Sequence, residues 1–141
     1  MIKDTEFTIN IKDITSILSK VEKELNVRFE KDESDYLLKI NQIEESGILV
    51  SINQENAAVV FGAIIKIPDI ELELINNFNA KSKLGFSVSW REDEKAIMSY
   101  YPVFLQGVSE YYVCQEMKRF IYGILSFISY LEDNGVILNE N

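Results

Sequence analysis

The sequence predicts an α+β domain, in which antiparallel strands form a sheet and helices lie across it. One observation is a helical stripe of apolar residues that begins near Ile14 and recurs, longer, after Ser109. A second is the set of apolar or alternating runs between those helices, joined by short polar turns that favour hairpins. The predicted order is α-β-β-β-β-α-β-β-α, one domain over residues 1–141 with a long C-terminal helix.

The first half of the chain predicts one helix and then four strands. Asp13 is the expected N-cap of the helix, and Asn26 is expected to end it in the left-handed conformation. The apolar residues at helical spacing are Ile14, Ile17, Leu18, Val21 and Leu25. The strands are predicted at 27–31, 36–43, 48–52 and 57–67, and polar turns separate them.

The second half predicts a short helix, a hairpin and a final long helix. Pro68 ends the fourth strand, and Asp69 is expected to open a helix that buries Ile70, Leu74, Ile75 and Phe78. Period-two alternation around Trp90 predicts a half-buried strand. The last strand covers 96–103, and Pro102 implies that its end lies at a sheet edge or leaves the sheet. Ser109 is the expected cap of a helix that runs to about Leu131.

Composition excludes several kinds of catalytic and metal site. The chain has no histidine and a single cysteine, Cys114, so Ser-His-Asp and Cys-His catalysis, His-based zinc sites and internal disulfides cannot form. The six glycines are at least 12 residues apart, which excludes Gly-rich dinucleotide and phosphate loops. We expect Cys114 to be a buried, inert thiol. No catalytic residue, metal ligand or cofactor is predicted.

Acidic residues dominate the charge, with 23 Asp and Glu against 14 Lys and Arg, a formal net charge of −9. Such a chain repels polyanions, so we expect no binding to nucleic acid. The acidic clusters at 32–35, 44–45 and 92–94 fall in predicted turns and lack the spacing of a calcium loop. A small enzyme that uses carboxylates brought together by the fold remains an alternative, as does an inhibitor or immunity protein that neutralises a basic toxin.

The location predicted from the sequence is the cytoplasm. Acidic residues among the first six positions do not fit a signal peptide, and a single cysteine is typical of a reducing compartment. The longest apolar stretches, 57–65 and 120–131, are shorter than the roughly 20 residues that a membrane-spanning helix needs. We therefore expect no membrane span.

The final helix carries more apolar surface than one sheet can cover. A helix that is hydrophobic nearly all round is buried on more than one side, which predicts a protein partner, a second copy of the chain, or both. Aromatic residues on the last two strands add to this surface, because tyrosine and tryptophan are enriched at protein interfaces. The predicted partner or dimer interface consists of Tyr111, Tyr122, Leu125, Tyr130, Trp90 and Tyr100.

The region from Leu74 to Leu131 resembles the YbjN-type family of bacterial sensory transduction regulators. The residues that carry the resemblance follow in the family's order: Leu74-Ile75-Asn76-Asn77-Phe78-Asn79, Leu84-Gly85-Phe86, the turn Glu92-Asp93-Glu94, Tyr101-Pro102, Gly107-Val108-Ser109, and a long helix with Phe120 and Phe127. Phe78 stands where Trp is expected. The resemblance implies a fold like that of the type III secretion chaperones. It also implies a homodimer that holds an unfolded segment of another protein.

The sequence as a whole predicts a non-enzymatic protein-binding module, chaperone-like or regulatory, in an unknown pathway. A type III secretion effector chaperone is the alternative that the resemblance implies.

Overall fold

A computed structural model describes residues 14–40, 43–53, 55–67, 70–82 and 86–138. Three helices, α1 (Ile14–Leu25), α2 (Leu72–Lys81) and α3 (Glu110–Asp133), combine with one sheet. Its strands are β1 (Glu30–Asp32), β2 (Asp35–Lys39), β3 (Gly47–Asn53), β4 (Ala58–Lys66), β5 (Val88–Arg91) and β6 (Ala96–Phe104). The predicted α+β class and order of elements are confirmed.

The six strands pair antiparallel in the order β1-β2-β3-β4-β6-β5. The hairpins β1–β2, β2–β3 and β3–β4 follow one another along the chain, and β6 then pairs with β4 over the full length of both strands. The chain therefore inserts β6 between β4 and β5, and β5 forms an edge of the sheet.

The core lies between one face of the sheet, the inner face, and the helices. Alternate residues of β4 and its neighbours point there and are fully buried, among them Val50, Phe61 and Ile65. From α3 the buried stripe includes Phe120 and Phe127, as its helical spacing predicted. Phe120 stands at the centre of an aromatic cluster, with ring centroids 5.8 Å from Phe61, 4.7 Å from Phe86 and 6.5 Å from Tyr101.

The end of α1 and the start of α3 match their local sequence signals. Ser109 Oγ accepts a hydrogen bond of 3.1 Å from the backbone N–H of Tyr112, which confirms the predicted cap of α3. Asn26 has a φ of 54°, so α1 ends in the left-handed conformation that the sequence predicts. The predicted caps Asp13 and Asp69 lie outside the described residues. α2 begins at Leu72, after a Glu71 whose side chain makes no cap hydrogen bond, so Ile70, predicted in the buried stripe of this helix, precedes it.

The first two strands are shorter than predicted. The structure places β1 at Glu30–Asp32 rather than 27–31, and it ends β2 at Lys39 rather than at Ile43. The chain turns there, because Ile43 N–H donates to the carbonyl of Ile40 and both side chains are buried in the core. An apolar run therefore continues past the end of the strand.

Pro102 lies in the part of β6 that has a strand on one side only, which confirms the prediction of an edge position. Pro102 pairs with Val60 of β4 and stays within β6. Leu105 N–H donates to Ala57 O, so by alternation the nitrogen of Pro102 points away from β4. On that side β5 pairs only with residues 96–99, and the missing N–H of Pro102 costs no strand hydrogen bond.

Asn79 holds the end of β5 through two hydrogen bonds. Its side-chain Nδ2 donates to Val88 O at 2.8 Å, and its Oδ1 accepts from Val88 N–H at 3.0 Å. The amide thus takes the place of a neighbouring strand at this edge position.

Candidate functional site

The sheet face that points away from the helices is apolar, and no helix in the described part of the chain packs on it. Its large outward-pointing apolar side chains are half-buried or exposed, whereas most of those on the inner face are buried. We call this surface the sheet outer face and define it by Leu37, Leu49, Val60, Ile64, Met98, Tyr100, Pro102 and Phe104. Tyr100 and Phe104 are 67% and 59% exposed. Apolar patches of this kind mark interaction sites.

The sequence of β4 contains a signal for this surface. A strand with one face in water alternates apolar and polar residues, whereas a strand covered on both faces is apolar throughout. In β4, Val59, Phe61 and Ile65 point inward, but Val60 and Ile64 point outward and are equally apolar. The run is therefore typical of a strand covered on both sides, and the described chain covers only one.

A trough of about 700 Å³ crosses the sheet outer face. Gly62 forms its floor, between walls that include Leu49, Ile64, Met98 and Tyr100. A Cβ added at Gly62 would meet only Ser99 O, at 3.7 Å, so the floor is open space above an ordinary strand backbone. Gly47, also in the trough, differs: a Cβ there would come within 2.8 Å of Leu37 Cδ1 and 2.9 Å of the backbone oxygen of Leu38, which cannot move aside. Gly62 thus keeps the trough open, and Gly47 is required by packing.

Cations gather at one end of the sheet outer face. This is the end at which β3 and β6 begin. Three cations project outward there, Lys39 from β2, Lys66 from β4 and Arg91 from β5. Lys39 pairs with Glu30 at 3.3 Å, and Lys66 with Glu94 at 3.6 Å. Arg91 lines the trough and makes no ion pair within the described residues. One wall of the trough therefore carries a cation that is free to pair.

Three of the predicted interface residues lie together on α3. Tyr111, Tyr122 and Leu125 are 73%, 59% and 42% exposed, and helical spacing puts them on the side of α3 that faces away from the sheet. We call this the α3 outer stripe. It leaves apolar surface of the final helix exposed on the described chain.

The other three predicted residues lie elsewhere. Tyr130 is half-buried, and its hydroxyl donates to Leu74 O at 2.9 Å while its ring lies 5.3 Å from that of Phe78. Trp90 points to the inner face and packs against the core. Tyr100 belongs to the sheet outer face. The six residues are thus divided among the α3 outer stripe, the interior and the opposite side of the molecule.

A second concave surface, a polar groove of about 770 Å³, lies between α1 and α3. Lys118 pairs with Glu24 across it at 2.5 Å, and Arg119 pairs with Glu116 at 3.0 Å. The Tyr101 hydroxyl donates to Glu116 at 3.0 Å, and partial burial together with this carboxylate raises the pKa of Tyr101. These charged groups are paired with one another.

No chemical centre is evident in the residues that the structure describes. Cys114 is buried, as predicted, and burial raises the pKa of its thiol, which keeps it protonated and unreactive. The acidic clusters at 32–35, 44–45 and 92–94 fall in separate turns at both ends of the sheet. Among the described residues, no group of three or more His, Cys, Asp or Glu is arranged to hold a metal ion. None of the described helices could span a membrane.

Comparison with known proteins shows the fold. No protein-family model matches the chain, and no curated protein matches it. A chain of the HopA1–SchA chaperone–effector complex matches with a TM-score of 0.55 and 11% identity, over 88% of this chain and 98% of that one. A chain of the ExsC–ExsE complex matches with a TM-score of 0.59 and 12% identity, over 93% of this chain and 98% of that one. An uncharacterized protein from Methanothermobacter thermautotrophicus matches with a TM-score of 0.52 and 13% identity, over 85% of this chain and 97% of that one.

These likenesses confirm the predicted secretion-chaperone-like fold and, at such low identities, nothing finer. Membership of the YbjN-type family has no matching family model behind it and stays a prediction.

Proposed function

We propose that this chain is a non-enzymatic, chaperone-like protein-binding module that holds part of another protein on its sheet outer face. The observation that carries the proposal is the apolar surface across β2, β3, β4 and β6, which no described helix covers. The fold it shares with a chain of a chaperone–effector complex supports the same role. A secretion effector chaperone in the cytoplasm is the finer form of the proposal.

The energetics favour a covered sheet outer face. Full burial of a large apolar side chain contributes about 1.5–3 kcal/mol relative to exposure. Tyr100 and Phe104 are mostly exposed, and Leu49, Ile64 and Met98 are only half-buried, so much of this stabilisation is still available to a partner. A standard protein interface buries about 800 Å² on each side, and a surface of four strands, about 19 by 30 Å at its longest, supplies most of it.

We further propose that the α3 outer stripe forms a homodimer contact. This stripe and the sheet outer face lie on opposite sides of the molecule, so a dimer through α3 would leave the partner surface free. Sedimentation at increasing concentration tests the contact: a Tyr111→Ser/Tyr122→Ser variant should dissociate where the unmodified chain is dimeric. A chain that remains monomeric at high concentration contradicts the dimer.

The partner-binding role is tested by affinity capture from the native host followed by mass spectrometry. The bait proteins are the unmodified chain, a Tyr100→Ser/Phe104→Ser variant of the sheet outer face, and the Tyr111→Ser/Tyr122→Ser variant. Each variant removes two rings of similar exposure, so the two variants are matched controls for each other.

We expect the first variant to lose the partner and the second to keep it. Failure of the unmodified chain to retain any protein above the level of the sheet variant would refute the role. An association rate that falls steeply with salt would instead favour an inhibitor that neutralises a basic toxin.

A further inference from the structure

We propose that the partner places an amphipathic helix in the trough above Gly62, with its apolar side on β3 and β4 and an acidic residue against Arg91. This inference rests on the proposed function and specifies the kind of segment that the sheet outer face receives. It rests on three observations: the shape of the trough, the sheet backbone groups that are already hydrogen-bonded, and the difference in polarity between the two walls.

The sheet backbone decides that the bound segment is a helix. At the floor of the trough, β3 and β4 lie between neighbours on both sides, and β6 does so over residues 96–99, so their backbone N–H and C=O groups there are already used in the sheet. A segment that lies on this face cannot add a strand to it. An extended segment would bury backbone groups without partners, whereas a helix satisfies its own. Helix-in-groove binding is therefore the mode that fits.

The size of the trough is compatible with a helix. Neighbouring strands are about 4.8 Å apart, so the span from β2 to β5 is about 19 Å, and a helix with its side chains is about 10–12 Å across. Gly62 leaves space for an apolar side chain of the helix between Ile64, Met98 and Tyr100.

The two walls differ in polarity, which predicts the pattern of the bound helix. Leu37 and Leu49 line the side of β2 and β3, whereas Ser89 and Arg91 line the side of β5. Arg91 has no carboxylate partner within the described residues, although the chain carries an excess of acidic residues. A helix with leucine-like residues on one flank and glutamate or aspartate on the other matches both walls.

A second copy of the chain and a small apolar molecule fit the trough less well. Two copies packed by the same face would set trough against trough and leave a void, which interfaces avoid. A small molecule would have protein on one side only, because no described helix lies above the trough, whereas ligand pockets bury most of the ligand surface.

A designed model helix tests the proposal directly. The probe is a fluorescein-labelled 14-residue peptide with leucine at positions 1, 4, 5, 8, 11 and 12, glutamate along one flank and alanine elsewhere. A second peptide carries lysine in place of glutamate. Fluorescence anisotropy with the full chain measures binding of both peptides to the unmodified protein and to the variants Gly62→Phe, Arg91→Glu and Ser129→Phe. The last variant adds the same ring at an exposed position on α3.

At about 0.3 M salt, which screens the long-range repulsion from the net charge of −9, we expect the glutamate peptide to bind about fivefold more tightly than the lysine peptide. Arg91→Glu should reverse this preference. Gly62→Phe should weaken binding at least about tenfold, and Ser129→Phe should leave it unchanged. The environment of Gly62 accepts a Cβ, so the variant should keep its circular dichroism and its urea midpoint. If Gly62→Phe does not fold, the exposed Arg91→Glu variant still decides. Equal binding of both peptides, or binding that Gly62→Phe does not change, overturns the proposal.

Two further outcomes separate this proposal from its alternatives. Dimers that the Gly62→Phe variant abolishes in sedimentation would show a second copy in the trough and overturn the helix. In the host capture, a partner retained by Gly62→Phe but lost by Tyr100→Ser/Phe104→Ser would refute the trough and leave the protein-binding role intact. A chain that captures nothing would refute the role itself.

Discussion

The amide of Asn79 should contribute measurably to stability, because it is the hydrogen-bonding partner of the edge strand β5. We consider Asn79→Ala, which removes both the 2.8 Å bond to Val88 O and the 3.0 Å bond from Val88 N–H. The matched control is Asn76→Ala on the same helix, since Asn76 is exposed and both substitutions gain the same helix propensity.

The expected loss follows from the two hydrogen bonds. Each contributes a net of about 0.5–1.5 kcal/mol, and the half-buried site lets water replace part of what is lost. The free energy of unfolding of Asn79→Ala should therefore lie about 2 kcal/mol below that of Asn76→Ala. With an m-value of about 2 kcal/mol/M, the urea midpoints of the two variants should differ by about 1 M.

Urea unfolding followed by circular dichroism at one fixed protein concentration gives both midpoints. A third variant, Asn79→Asp, keeps an acceptor for Val88 N–H but turns a carboxylate toward the carbonyl of Val88. Its loss should be larger at pH 7 than at pH 3, where the protonated carboxyl can donate. Midpoints of Asn79→Ala and Asn76→Ala within about 0.3 M of each other would refute the role of the amide.

Three other expectations concern the core, an ion pair and the thiol. Phe120→Ala should lower the free energy of unfolding by about 3–5 kcal/mol, and the exposed Tyr122→Ala by much less; equal losses in a denaturant titration would contradict this. Lys20 donates to Glu110 at 2.7 Å and lowers the pKa of the Glu110 carboxyl. This ion pair therefore stabilises the fold fully above pH 4.5, the ordinary pKa of the carboxyl, and its contribution is lost as the pH falls through the lower pKa of the folded state. An NMR titration midpoint of Glu110 at or above 4.5 would disprove it. Cys114 should react with a thiol reagent only after unfolding, so rapid labelling of the native chain would show that it is accessible.

The three helices, the end of α1 and the start of α3 could be predicted because their signals are local. The periodic stripe of α3, its cap Ser109 and the left-handed Asn26 each depend on residues within a few positions of one another. The antiparallel hairpins followed in the same way from short turns between apolar runs. The predicted end of β2 at Ile43 is wrong, because Ile40 and Ile43 are buried in the core after the chain has left the sheet at Lys39.

The candidate site was only partly predictable. The sequence identified Tyr111, Tyr122 and Leu125 as excess apolar surface of the final helix, and the structure leaves them exposed. It did not identify the sheet outer face beyond Tyr100, although the unbroken apolar run of β4 is typical of a strand covered on both sides.

The sequence by itself determined the class, the order of elements, the buried stripe of the last helix and the absence of histidine chemistry. Only the tertiary structure decided that β6 inserts between β4 and β5, that Asn79 closes the edge at Val88, and that Gly62 and Arg91 share one trough. The physical reason is range. Periodicity and caps act between residues within a few positions of one another, whereas strand order and the packing of α2 on β5 bring together residues that are farther apart, from 9 positions for Asn79 and Val88 to tens of positions between strands.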